Sequence, residues 1–360
     1  MSIRSFVPLP CLVTSSFAVA QVPQLTVVPA AYATTDAVSY LWIPGASRDV
    51  RQQTLVGSSH LVPMLGRTLT AIELRRSAAN EVYQGGVSNM TVTLSTSPSR
   101  PLRCSGTFAA NVGPDATVVF TGPVTLPTSP AVVGPAVPWT PANTVRIAFQ
   151  QPFVYTGGTL CLDVVGLAVP GQNANWWMAD AMFEDVGGFT AEVGNGCGQY
   201  GGAQGRWSFV STRLLVPGGH ASFWAYGVHT GLGIAAFGMR SQAPIPLTAL
   251  GIPSPGCDLH LGSIDAMIPT LFEPPFDPRL DHRGGCGEVI LWIPDSSALF
   301  GTTMTTQWFD WSQLAMSNAI EWTVAGAMPT LDMTAIDGDA SQASGQVSVH
   351  LAHVLRFEHH

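Results

Sequence analysis

The stretch MTVTLS, Met90 to Ser95, decides the fold class of this chain. Its apolar residues Met90, Val92 and Leu94 alternate with threonine and serine. Because successive side chains of a β-strand point to opposite faces, this period of two is typical of a strand with one buried face. The same alternation recurs at residues 72–74, 145–149 and 160–165. The best helical pattern, residues 312–322, would give about three turns at most. The sequence therefore predicts an all-β protein.

The composition predicts two antiparallel β-sandwich domains. Glycine (37) and proline (28) are frequent and only 11% of the residues are charged, a profile closer to loop-rich β-structure than to a helical bundle. The 360 residues suffice for two domains that each bury a core. Glycines cluster at residues 186–205, so we place the boundary at Val193. The first domain then covers residues 21–192. The second covers 193–360 and ends in a long final strand at 346–357.

The charged residues exclude several classes of function. The chain has no lysine, which removes Schiff-base catalysis and a P-loop lysine. Its net charge is -8, and its basic residues form no cluster beyond Arg75-Arg76. Nucleic acid and anionic membrane both need a basic face, so neither is a predicted partner. No cofactor is predicted.

The first 20 residues resemble a secretory signal peptide. An apolar run leads to Ala18-Val19-Ala20, the small residues that signal peptidase prefers, so the mature chain is expected to begin at Gln21. The alternative is that this run forms a buried first strand. No later apolar run is long enough to span a bilayer. A secreted or cell-surface location is therefore predicted.

No catalytic or metal-binding motif stands out. The chain lacks G-x-S-x-G, and Gly57-Ser58-Ser59-His60 places a serine beside a histidine without making a dyad, because triads assemble from distant positions. A hydrolase with no recognisable motif remains the third functional hypothesis. No metal site is predicted. An irregular calcium site at Glu184-Asp185 or at Asp277 and Asp281 is the open alternative, since calcium needs only oxygen ligands.

Two aromatic stretches are candidate ligand sites. In the first, a strand through residues 175–183 would place Trp177, Ala179, Ala181 and Phe183 on a core face, leaving Trp176 on the other face as a carbohydrate platform or as packing. The second is the glycine-rich segment 199–207, where Tyr200, Arg206 and Trp207 suit a carbohydrate ligand. The alternative is a linker whose aromatic side chains fold onto the sandwich.

Four stretches resemble recurring patterns in secreted proteins of environmental bacteria with large surface proteomes. They are GTLCLDVVG (158–166), PLTALGIPSPGCDLHLG (246–262), LWIPDSSALFGTTMTTQWFDW (291–311) and SNAIEWTVAG (317–326). The resemblance implies export and tandem β-sandwich domains, often of jelly-roll type. No activity is known for these proteins, so no functional residues are carried over. Segment 272–288 departs from the pattern by adding Cys286 and a charged loop. LWIP also occurs at 41–44, which we interpret as one strand-ending device used twice.

The cysteines indicate disulfides, as expected for an exported protein without C-x-x-C pairs. Because domains usually close their own bridges, Cys104–Cys161 is predicted for the first domain. The resemblance includes Cys197 and Cys257, which favours Cys197–Cys257 in the second domain. Cys257–Cys286 remains the rival.

The sequence thus predicts a secreted, non-catalytic structural or interaction protein of the cell surface or extracellular matrix. A carbohydrate-binding protein that uses surface aromatics is the alternative. The expected partners are a glycan or a surface protein. Homo-oligomers, if they form, would use sheet edges or an apolar patch, because charge is too sparse for many interfacial ion pairs.

Overall fold

The chain is all-β, as the alternation predicted. The structure, a computed structural model, describes residues 22–172, 177–198, 208–210, 215–227, 231–273 and 285–360. Within these ranges the strand ladders are antiparallel, and the α-helix α1, Phe108–Asn111, has a single turn. No helix among these residues is long and apolar enough to cross a membrane. Short 3-10 turns occur at Ala30–Tyr32, Ser58–His60, Val62–Met64, Pro101–Arg103, Pro141–Asn143, Leu247–Leu250 and Ser297–Leu299.

Three sheets form a first group. In spatial order, the six-stranded sheet consists of β21 (Gln346–Ser348), β20 (Met333–Asp339), β3 (Val50–Val56), β8 (Thr159–Ala168), β5 (Gly86–Ser97) and β6 (Thr117–Leu126). The four-stranded sheet consists of β1 (Gln24–Val28), β23 (Leu355–His359), β4 (Thr68–Arg75) and β7 (Thr144–Val154). The three-stranded sheet consists of β2 (Val38–Trp42), β9 (Met178–Phe183) and β22 (Leu351–His353).

A second group lies between β9 and β20 in the chain. Its five-stranded sheet consists of β10 (Phe189–Val193), β19 (Ala315–Thr323), β18 (Thr303–Asp310), β13 (Gly231–Gly238) and β16 (Ala266–Phe272). A three-stranded sheet consists of β11 (Ser208–Val210), β12 (His220–Gly227) and β17 (Gly285–Trp292). The pair β14 (Arg240–Pro246) and β15 (Asp258–Leu261) forms a hairpin.

The stretch MTVTLS forms the middle of β5, between β6 and β8. Its apolar side chains Met90, Val92 and Leu94 are buried in one hydrophobic cluster with residues of the facing four-stranded sheet, among them Ile72 and Ile147. The alternating side chains therefore pack sheet against sheet, which is how a strand with one buried face is stabilised.

The end of the chain corrects the predicted domain assignment. Residues 346–357 are not one long strand, because β21, β22 and β23 pair in three different sheets. All three belong to the first group, and β20 pairs with β3. The segment after β19 therefore returns to the first group, and the prediction that residues 193–360 form one domain is wrong. Alternation shows that a strand has two faces but does not show which sheet it joins.

The helical pattern at residues 312–322 is also not realised. Residues 315–323 form β19, which is hydrogen-bonded on both sides, by β10 and by β18. β18 pairs along β19 and β10 pairs with its residues 319–323, so the sheet satisfies most of the strand's backbone N–H and C=O groups.

The two chain segments that connect the groups are tied together. The Glu184 carboxylate accepts hydrogen bonds from the backbone N–H of Thr330 and Leu331, at 2.8 and 2.6 Å. The Gly326 N–H donates to the Val186 carbonyl at 3.2 Å. A shared cluster of buried residues spans both groups, with Leu55, Phe108, Cys161, Ile336, Val347 and Val349 from the first and Val216 and Ala325 from the second. The second group is thus an insertion packed onto the first.

Candidate functional site

The four predicted ligand residues lie outside the described residues. Trp176 falls in the gap at 173–176, and Tyr200, Arg206 and Trp207 fall in the gap at 199–207. The carbohydrate site proposed for them stays a prediction, as do the signal peptide at residues 1–20 and the calcium alternative at Asp277 and Asp281, which also lie outside.

In the tryptophan-rich stretch, the residues that the structure describes pack in the protein interior. Trp177, Ala179 and Ala181 of the predicted core face are fully buried, whereas Phe183 at the end of β9 is half-buried. On the opposite face, the Met182 sulfur accepts a hydrogen bond from the Tyr32 hydroxyl at 2.7 Å. Asp180 is fully buried in an ion pair with Arg75. Neither side chain leaves a flat surface for a sugar ring.

The serine and histidine next to each other do not form a triad. The Ser59 hydroxyl donates to the Asp332 carboxylate at 2.6 Å, whereas Nε2 of His60 is 2.7 Å from the Leu331 carbonyl oxygen. A catalytic serine must instead bond to the histidine. These contacts fasten the turn after β3 to the segment before β20.

The polar groups do not assemble a metal site within the described ranges, where no three His, Cys, Asp or Glu side chains converge. The Glu184 carboxylate is already occupied by backbone donors. A cavity between the sheets, lined by Gln52, Thr54 and His353 among mostly apolar residues, has a volume of about 10 Å³ and is too small for a ligand.

Two buried histidines make the fold sensitive to acid. Burial lowers the pKa of His350 to about 4 and that of His353 to about 3, from 6.5. Below pH 6.5 these imidazoles bind protons in the unfolded chain but stay neutral in the folded chain. The free energy of unfolding therefore falls as the pH drops. We expect each histidine to lower the free energy of unfolding by about 2 kcal/mol between neutral pH and about pH 5.

The His353→Leu variant isolates this effect. In denaturant titrations it should retain about 2 kcal/mol more of its neutral-pH stability at about pH 5 than the unaltered chain does. Burial raises the pKa of Asp337 to about 6, which acts in the opposite direction but is common to both proteins. The exposed His360→Gln substitution is the control. Parallel pH profiles for His353→Leu and the unaltered chain would contradict the prediction.

The disulfide predictions have different outcomes. Cys197–Cys257 is formed, with Cα atoms 5.0 Å apart, and the rival Cys257–Cys286 is therefore wrong. The predicted Cys104–Cys161 bridge is also wrong, because both are free thiols. Cys161 lies in central strand β8, and both side chains pack in the cluster shared by the two groups of sheets. They act there as small apolar side chains, and burial raises the pKa of Cys104 to about 12.

The outer face of the five-stranded sheet carries an apolar surface that no described element covers. In one row across it, Leu271 of β16 is opposite Leu232 of β13, and the Trp311 N–H donates to the Leu232 carbonyl at 3.0 Å. In the next rows, Pro269 is opposite Ile234 and Met267 is opposite Ala236. The exposed fractions are 61% for Leu271, 38% for Leu232, 59% for Trp311 and 63% for Met267. We call Leu232, Ile234, Met267, Pro269, Leu271 and Trp311 the apolar edge patch.

The rest of that face is covered by the hairpin of β14 and β15. The buried Gln307 of β18 accepts from the His260 N–H at 2.8 Å and donates to the Asp258 carbonyl at 3.0 Å. The Cys197–Cys257 disulfide joins the hairpin to the segment that contains Cys197. The backbone N–H of Cys197 in turn donates to the Met316 carbonyl of β19. The sheet therefore has one covered half and one open half, and the apolar edge patch is the open half.

A second exposed aromatic lies on strand β17, on the face of the three-stranded sheet opposite the buried Val289 and Ile293. Trp292 ends β17 and is 63% exposed, and Ile290 beside it is 50% exposed. Glu288 follows on the same face, opposite Trp224. Both LWIP stretches end a strand, with an exposed tryptophan at 42 or 292 followed by a buried isoleucine, which confirms the repeated strand-ending device.

The sequence comparisons add no functional assignment: no protein-family model matches the chain, and no curated protein matches its sequence.

Proposed function

We propose that this chain is a non-catalytic extracellular protein that attaches to cell-surface or matrix components through the apolar edge patch. The exposure of that patch carries the proposal. Contiguous exposed apolar surface of several hundred Å² typically marks an interaction site on a soluble protein. Five of its six residues lie on the paired strands β13 and β16, so the contact surface is preformed.

The disulfide supports the extracellular part of the proposal. Structural disulfides persist in oxidising compartments and are rare in the reducing cytosol. Cys197 and Cys257 are both buried and bridged. The composition agrees, because the sparse charge leaves apolar contact as the main means of attachment.

The Met267→Ser/Leu271→Ser double variant tests the proposal. In the organism that encodes the protein, the unaltered chain should fractionate with the cell envelope or matrix, and the variant should pass into the medium. The Val62→Ser/Leu65→Ser variant is the matched control, because these side chains are similarly exposed, at 69% and 58%, but lie outside the patch. Equal retention of all three proteins would show that the patch does not attach the protein.

Carbohydrate binding is the second candidate, favoured by the row of Trp292, Ile290 and Glu288. An exposed indole ring can stack on a sugar, and the Glu288 carboxylate, about 13 Å further along the strand, can accept hydrogen bonds from hydroxyls of another sugar of a longer glycan. On a glycan microarray, this function requires a signal that Trp292→Ala abolishes and Trp311→Ala preserves. Trp311 is the matched control because its exposure, 59%, is nearly the same.

A further inference from the structure

We propose that the cavity between the sheets of the first group binds one water molecule, which bridges the imidazole of His353, the hydroxyl of Thr54 and the carboxamide of Gln52. The cavity lies where the three sheets of this group meet. Gln52 and Thr54 belong to β3 of the six-stranded sheet, and His353 ends β22 of the three-stranded sheet. The four-stranded sheet contributes Leu74 and Ile147 to the lining.

The volume of the cavity matches a single water molecule. It is about 10 Å³, close to the least space that a buried water requires. This volume excludes an organic molecule. A metal cation is also unsuited to the cavity, because no carboxylate is among the described side chains that line it.

The polar side chains of β3 depart from the apolar pattern of the core around them. Gln52 lies opposite Val164 of β8, and Thr54 lies opposite Leu162. Val56, the next position of β3 on the same face, is again buried in the apolar cluster. Burying an amide and a hydroxyl in such surroundings costs free energy unless they form hydrogen bonds. A water molecule in the cavity supplies these bonds.

The imidazole of His353 points to the same conclusion independently. His353 lines the cavity and is 2% exposed, and its Nε2 has no hydrogen-bond partner among the described residues. Burial keeps this imidazole neutral, because it lowers the pKa of His353 to about 3. A neutral imidazole has one donor and one acceptor nitrogen, so it can bond to water in either tautomer.

The three polar groups together provide the contacts that a buried water needs. Nε2 of Gln52 donates to the Asp337 carboxylate, which leaves Oε1 of Gln52 as an acceptor for water. The Thr54 hydroxyl can donate or accept. Three hydrogen-bond partners are the usual number for a buried water. The water molecule would thereby connect β3 to β22, which belong to different sheets.

Diffraction from crystals of the unaltered protein tests the site directly. At a resolution that shows ordered water, we expect one peak of density in the cavity, at about 2.7–3.2 Å from the imidazole, the hydroxyl and the carboxamide. A cavity without density would overturn the proposal, because that is the behaviour of a purely apolar cavity.

The sign of the Thr54→Val effect on stability is a second test. With water bound, the variant removes one of the three partners of that water, and the equilibrium constant for unfolding should rise about fivefold in urea titrations. In a dry cavity, valine replaces an unpaired buried hydroxyl by a methyl group, and the constant should fall. A fall for Thr54→Val would therefore also overturn the proposal.

Thr305→Val is the matched control for this substitution. Thr305 is fully buried in β18, and its hydroxyl has no hydrogen-bond partner among the described residues. It does not line the cavity. The equilibrium constant for unfolding of Thr305→Val should fall, so the two threonine variants should change stability in opposite directions.

Discussion

The Arg75→Leu substitution is expected to lower the free energy of unfolding by about 3–5 kcal/mol, because it leaves the Asp180 carboxylate buried without its cation. Both side chains are fully buried. The guanidinium also donates to the carbonyl oxygens of Thr35 at 2.6 Å and Val137 at 3.0 Å. It therefore joins the segment after β1 and the proline-rich connection before β7 to the end of β4.

A double-mutant cycle separates the ion pair from the packing. The Arg75→Leu/Asp180→Leu protein should be more stable than Arg75→Leu alone, because it no longer buries an unpaired charge. Arg103→Leu is the control, since the Arg103–Asp295 pair is 3.5 Å long and its arginine is 78% exposed. It should change stability by less than about 0.5 kcal/mol. Equal effects of Arg75→Leu and Arg103→Leu in urea titrations would refute the prediction.

Loss of the disulfide is the second large effect. The Cys257→Ser variant should have a free energy of unfolding about 4 kcal/mol lower than that of the unaltered chain. The bridge closes a loop of 60 residues and so restricts the unfolded chain. The backbone amides near the bridge should also become less protected from hydrogen exchange. Hydrogen exchange at the His260 amide, which bonds to Gln307 across the hairpin contact, should speed up more than exchange in β5.

Cys286→Ser is the matched control, because Cys286 is a free thiol in the same insertion. It should leave both the unfolding free energy and the His260 exchange rate close to those of the unaltered chain. If Cys257→Ser were equally silent, the hairpin would be held by its side-chain contacts alone, and the disulfide would have no structural role.

The sequence predicted local structure better than it predicted connections. The alternation of Met90, Val92 and Leu94 identified β5 and its buried face, since the period of two reports directly on burial. The same signal could not show that β21 to β23 return to the first group of sheets, because strand partners are distant in sequence. The domain prediction failed for that reason.

The candidate site was less predictable still. Apart from Trp311, which follows β18, the apolar edge patch consists of residues in β13 and β16, and the sequences of these two strands read like buried strands. Its exposure depends on how far the hairpin of β14 and β15 extends over the sheet, which is a tertiary property. Arg75 likewise looked like half of a small basic cluster, whereas the fold buries it against Asp180.

The pairing of β1 with β23 determines how the protein responds to mechanical force. Gln24 lies opposite His359, so the chain enters and leaves the first group of sheets at the same corner. Tension between the two ends peels these antiparallel strands apart one pair at a time, instead of shearing all five pairs at once. The insertion between β9 and β20 carries none of that load until the first group opens. Under tension the chain therefore yields first at its ends, while the sheet that bears the apolar edge patch stays folded.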